Sequence, residues 1–214
     1  MAANLWLNHK LDLWPRMRER TTKELIETLG EDFDRCYRNI LQSFDEGTID
    51  DKGLLDADYE FHARQLIRAA FAYIEGVTFS VKITAASHCL ERRVNISPQE
   101  RYLAAEVDYE LDDKGAVVER PARIKLSRNI RFAFALYEKT HKLHPPFDPS
   151  SEWWCHLRES IRVRNRLTHP RMPEDLDVSP SELLNVIKAK QGFDDILMHY
   201  AQKKSKLPRK RRKK

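Results

Sequence analysis

Glycine is scarce in this chain, at 6 of 214 residues. A loop that cradles phosphates with backbone amides needs several glycines at fixed spacing, so a P-loop or dinucleotide-binding fold is not expected. Cysteine is equally sparse. Cys36, Cys89 and Cys155 are odd in number and far apart, and they read as small packing residues in a reducing compartment rather than a disulfide framework. No Cys-x-x-Cys or His-x-x-x-His spacing occurs, so neither a zinc site nor any other cofactor is expected. Every apolar stretch is interrupted by charge, which leaves no candidate membrane span. Met1 to Lys10 has no apolar run ahead of a small-residue cleavage site, so no signal peptide is expected and the location expected is cytoplasmic.

Acid is missing from the C-terminal end. Lys203, Lys204, Lys206, Arg209, Lys210, Arg211, Arg212, Lys213 and Lys214 share residues 203–214 with no Asp or Glu. Removing those nine cations takes the formal charge from +5 to −4, so the body is mildly acidic and the basic balance lies in the tail. Like-charged runs of this kind are usually disordered. The tail is either a solvated end, a nuclear-localisation signal, or an arm for a nucleic-acid backbone with strongly salt-dependent binding.

What is present is helical periodicity. At this length the body, residues 1–202, suits one domain with a buried core. Arg16 to Phe44 reads as helix, with Pro15 in the first turn and Gly30 as a candidate break. Residues 47–53 read as a polar loop. Asp56 to Arg92 is a long helix in which Ile67, Phe71, Ile74, Thr78 and Ala85 share a face, ended by the segment 95–98. Residues 104–120 then alternate apolar and polar around Asp113-Lys114-Gly115, the pattern of a β-hairpin inserted between helices. Ile124 to His141 is helical again, with Ile130, Phe134 and Tyr137 spaced for burial. A proline-rich connector follows from His144. Ser150 or Ser151 caps the next helix, with Glu152 in its first turn, and Pro170 and Pro173 prevent continuation beyond Thr168. Ser179-Pro-Ser-Glu182 opens a last helix through about Lys203. The sum is an all-α bundle of four to five main helices with one β-hairpin.

The helix from Ser151 to Thr168 carries the chemistry. On a helical wheel Trp153, Trp154, Leu157 and Ile161 form the core stripe. Arg164 and Thr168 fall inside that stripe and Asn165 at its edge. Arg162 and Arg166 fall away from it, toward solvent or another chain. A guanidinium turned into a bundle must be paired, so Arg164 calls for a carboxylate, a facing subunit or an anionic ligand. His169 follows one turn after Asn165 and precedes Pro170, which turns its backbone out of the helix. Arginine stabilises phosphate oxygens, histidine moves protons near neutrality, and an amide can orient either. The plainer alternative is an ion pair plus a helix C-cap. Glu75, beside Gly76 on the long helix, is the secondary candidate, as a partner for Arg164 or a surface-edge carboxylate. The tryptophans could stack bases, but their periodicity favours packing. His62, His88, His141, His144, His156 and His199 have no metal spacing.

Arg164-Asn165-x-x-x-His169 resembles the Arg-x(4–6)-His motif of HEPN-superfamily ribonucleases, in the form where a polar residue follows the arginine. The string Arg68-Ala-Ala-Phe-Ala-Tyr-Ile-Glu75-Gly76 is similar to the helix that many bacterial HEPN proteins place against the motif helix. Residues from about 56 to 203 fall within the resemblance. It implies a homodimer with two facing motifs, and metal-independent RNA cleavage leaving a 2′,3′-cyclic phosphate. It also implies a toxin or antiphage defence role, with a cognate antitoxin or defence-system protein as partner. Arg164 would then hold the scissile phosphate, His169 transfer protons and Asn165 orient the site, with Glu75, Arg166 and Thr168 in support. RNA would also be met by Arg162, Lys203, Lys204, Arg209, Lys210, Arg211 and Arg212. One subgroup silenced by nucleotidylation has a tyrosine two residues after the histidine; Arg171 stands there in this chain. Two other outcomes stay open: a HEPN-like module that binds a nucleotide, RNA or protein without catalysis, and a helical protein that binds RNA through its tail.

Overall fold

The computed structural model describes residues 14–45, 57–92, 94–143 and 148–205. The polar loop 47–53, the start of the proline-rich connector (144–147) and the basic residues from 206 onward lie outside them. The described elements run α1 (Trp14–Asp45), α2 (Ala57–Arg92), α3 (Pro98–Ala104), β1 (Val107–Leu111), β2 (Val117–Pro121), α4 (Leu126–His141), α5 (Glu152–Thr168), a 3-10 turn (Pro173–Leu176) and α6 (Pro180–Ser205). The described residues are mostly helical with one two-stranded antiparallel hairpin, as the periodicities predict. No helix among the described residues is long and apolar enough to cross a membrane.

The long helix α2 is the centre of the bundle. Its apolar residues recur around most of the circumference, and Leu66, Ile67, Ala70, Phe71, Ile74 and Val77 are all buried. A helix apolar on several sides must be covered on several sides. α1 covers one with Phe33 and Ile40, α4 another with Ile130 and Phe134, and α6 a third with Phe193 and Ile196. Ala85 and Thr78 are buried on the expected face. Gly76 permits a close approach, because a Cβ there would stand 2.5 Å from Leu29 Cδ1 of α1. Gly30 does not break α1, which runs unbroken through it. The bundle holds the helix where intrinsic propensity would weaken it.

Three local features differ from the sequence reading. First, α2 is followed by α3, a short helix fixed by a capping box: Glu100 N–H donates to Ser97 Oγ at 3.1 Å and Ser97 N–H to Glu100 Oε2 at 2.6 Å. Second, Ser151 occupies the N-cap of α5 but its side chain does not cap; the hydroxyl donates backward to the Asp148 carbonyl. Third, the cysteines are not alike: Cys89 is buried, Cys36 half-buried and Cys155 exposed, all as free thiols. Cys155 is exposed because the buried stripe of α5 passes through Trp154 and Leu157 on either side of it.

The hairpin forms as expected. Leu111 pairs with Val117 and Val107 with Pro121. Asp112 Oδ1 accepts the amides of Lys114 and Ala116 at 2.9 and 2.8 Å, and Gly115 takes the positive φ of 76° that closes the turn.

Candidate functional site

The motif helix α5 is fixed on its core side by Trp154, Leu157, Ser160, Val163 and Leu167, all buried. Across from it, α6 supplies Gly192, where a Cβ would meet Trp153 Cβ at 2.5 Å. The tryptophans therefore pack: Trp154 is buried beneath the Arg131 guanidinium, 5.6 Å from the ring centroid, and Trp153 lies against the Gly192 backbone. The buried stripe drifts toward Val163 and Leu167 at the C-terminal end of the helix. That drift corrects the position of Thr168, which is exposed and donates from Oγ1 to the Arg164 carbonyl at 2.7 Å. Its hydroxyl closes the last helical turn.

The same drift leaves Arg164, expected inside the stripe, at its edge with its side chain 30% exposed, and its partner is Glu75 of α2, Nη2 to Oε1 at 2.6 Å. Arg164 Nη1 also donates to Asn165 Oδ1 at 3.2 Å. Burial pushes the Glu75 carboxyl up, the Arg164 charge and hydrogen bond draw it back, and the neighbouring Glu106 charge adds to the rise; the net effect lies above the ordinary value. His169 forms the C-cap, its amide donating to the Asn165 carbonyl at 3.1 Å. It is exposed, and its ring has no hydrogen-bond partner among the described residues. The structure thus brings Arg164, Asn165 and Glu75 into one cluster and leaves the imidazole of His169 open to solvent at the helix end.

Arg166 departs from expectation. It is only partly exposed, because it folds back to donate to the carbonyls of Glu174 and Asp177 and to pair with Glu182 Oε1 at 2.8 Å. Glu182 Oε2 accepts from the Ser179 amide at 3.0 Å, so one carboxylate joins the end of α5 to the start of α6. Arg162 is exposed and held by Glu159 of the same helix at 2.7 Å. Lys203 and Lys204 belong to α6, which continues through Ser205. Arg209, Lys210, Arg211 and Arg212 lie outside the described residues. Arg68 is exposed on α2.

A second cluster escaped the sequence reading. Lys82 of α2 is fully buried, yet it is charged-paired: Nζ lies 2.6 Å from Glu106 Oε1 and 2.7 Å from Asn129 Oδ1. Asn129 Nδ2 donates to the same Glu106 oxygen at 2.9 Å. Burial lowers the Lys82 pKa against the opposing pull of Glu106. Burial pushes Glu106 up, but the hydrogen bonds from Lys82 and Asn129 and the Lys82 charge outweigh it and hold the carboxyl below the usual range. Glu106 sits at a φ of 56°, just before β1, so the triad ties the base of the hairpin to α2 and α4. The one available signal was a lysine on the apolar side of α2, which must find a carboxylate.

Both clusters border one cavity of about 610 Å³, walled by α2, the hairpin base, α4 and α5. Glu75, Phe79, Glu106, Asn129, Arg164 and Asn165 face it; His169 does not. Among the described residues no group of three or more His, Cys, Asp or Glu is arranged to hold a metal ion. Comparison of the chain with protein-family models, with curated proteins and with solved structures finds no match.

Proposed function

We propose that this chain is a HEPN-type, metal-independent endoribonuclease that acts in the cytoplasm as a homodimer, in a toxin or antiphage defence role. One observation carries the reading: an arginine held half-buried by a carboxylate, with an exposed imidazole one turn beyond its neighbouring asparagine. The Arg164 guanidinium would bind the scissile phosphate and stabilise the charge that builds on its oxygens. The 2′-oxygen would form a bond to phosphorus as its proton passes to a base. The bond to the 5′-oxygen would break as that oxygen takes a proton from an acid, leaving a 2′,3′-cyclic phosphate. One His169 serves one of these proton transfers; a two-fold axis supplies the second from the same surface of another copy. Asn165, whose Oδ1 touches Arg164, would orient the guanidinium toward the phosphate.

Purified protein is expected to cut single-stranded RNA in EDTA, and His169→Ala to abolish cutting while the helical signal and melting point persist. Undiminished cutting by His169→Ala, or a strictly monomeric active protein, would overturn the reading. The cavity beside Arg164 favours a second one, a HEPN-like module that binds a nucleotide without cutting. Binding without turnover would select it.

A further inference from the structure

The cavity between α2, the hairpin base, α4 and α5 has a mixed lining that restricts its guest. Glu75 and Glu106 contribute two carboxylates, and Arg164 and Lys125 two cations. Each carboxylate uses Oε1 internally, for Arg164 in one case and for Lys82 and Asn129 in the other. Their Oε2 atoms have no hydrogen-bond partner among the described residues. A simple anion would meet those two carboxylates. A simple cation would meet Arg164, Lys125 and the buried Lys82 behind Glu106. The guest that suits both halves separates a face of N–H donors from a negative charge.

We propose that this cavity binds a guanosine monophosphate unit, with the base against Phe79 and its phosphate toward Arg164 and Lys125. Guanine presents two adjacent donors, N1–H and the N2 amino group, which is the pattern that acceptor-only carboxylate oxygens recognise. Adenine and cytosine each present one amino group beside an acceptor, and uracil one N–H between two acceptors. The volume, about 610 Å³, lies within the range of small-ligand clefts. Phe79 supplies an aromatic face on the cavity wall, and such faces stack bases. Lys125 and Asn165 are exposed at the mouth, where a phosphate or a continuing RNA strand would leave. For RNA the proposal rests on the ribonuclease reading, with the guanosine splayed out beside the scissile bond as single-stranded recognition commonly requires. For the free nucleotide it does not.

The test has two arms on the full chain. In the first, GMP, IMP, AMP, CMP and UMP are titrated calorimetrically against wild type, Glu75→Gln and Phe79→Leu. GMP is expected to bind about tenfold more tightly than IMP, which lacks only the N2 amino group, or AMP. Glu75→Gln should erase that difference, and Phe79→Leu should weaken all purines. In the second arm, oligonucleotides with a single G, A, C or U at one position are offered for cleavage, and cutting should concentrate beside G. Equal binding of all the nucleotides, or none at millimolar concentration, together with cleavage indifferent to the base, would overturn the pocket while leaving the ribonuclease reading intact. Selective GMP binding without cleavage would uphold the pocket and remove the ribonuclease.

Discussion

Arg164 and Glu75, 89 residues apart in sequence, meet at 2.6 Å across the packed faces of α5 and α2. The pair makes Glu75 a reporter of Arg164. Burial holds the folded pKa of Glu75 above its ordinary value of 4.5, so folding favours its protonated form. That contribution is complete below the unfolded pKa and is lost as pH rises through the folded one. Arg164 is the group that limits the rise. Arg164→Ala should therefore extend the loss toward neutrality, and its melting temperature should fall more steeply with rising pH, above about 4.5, than that of wild type. Parallel profiles would mean that the pair does not persist in solution.

The Lys82–Glu106–Asn129 triad predicts an asymmetry. Glu106→Ala leaves a fully buried ammonium without its carboxylate, and uncompensated buried charges of this kind cost about 3–5 kcal/mol. Lys82→Met fills a similar volume with apolar atoms and leaves a Glu106 side chain that is 39% exposed and can hydrate. Chemical denaturation should rank Glu106→Ala well below Lys82→Met in stability. The reverse order would contradict the triad as described.

Two glycine substitutions should act with opposite sign. At Gly30 an added Cβ meets only Tyr73 Cε2 at the ordinary distance of 3.8 Å, so Gly30→Ala should stabilise α1 by up to about 1 kcal/mol. At Gly192 the same Cβ falls 2.5 Å from Trp153 Cβ and 2.9 Å from Cγ. Those atoms are near the backbone and cannot swing away, so Gly192→Ala should destabilise by about 1–3 kcal/mol. Thermal melts of the two variants check both directions at once.

Arg166→Ala should loosen residues 173–179 rather than weaken RNA contacts directly. The lost hydrogen bonds to Glu174, Asp177 and Glu182 are charge-assisted, and only the one to Glu182 is part-buried, so together they are worth about 1–2 kcal/mol after solvent compensation. Amide exchange should quicken in that loop while the salt dependence of RNA binding stays unchanged. A reduced salt slope would instead make Arg166 a phosphate contact.

Much of this architecture was legible because single elements announce themselves. Pro170 and the spacing of Trp154 and Leu157 define α5, and Asp113-Lys114-Gly115 defines the hairpin turn. The inward tilt of Arg164 required a carboxylate, and Glu75 at the edge of its own buried face was a candidate that the structure brings to it. Ser97-Pro98-Gln99-Glu100 carried a readable capping signature that would have revealed α3. Lys82, Glu106 and Asn129 were not legible as a set, because they belong to three elements whose relative placement no local pattern specifies. Thr168 and Arg166 were misplaced for a related reason. A wheel drawn for an isolated helix ignores the drift of the contact stripe and the return of the chain through the 3-10 turn to α6.

Glu182 accepts from Arg166 with one oxygen and from the Ser179 amide with the other. The segment that carries His169 and its two prolines is a clasp with several rivets, because Arg166 also holds the carbonyls of Glu174 and Asp177 and Arg64 that of Leu176. Losing the Glu182 side chain would release the α6 flank while those other fastenings remain, so the clasp should slacken in steps rather than spring open at once.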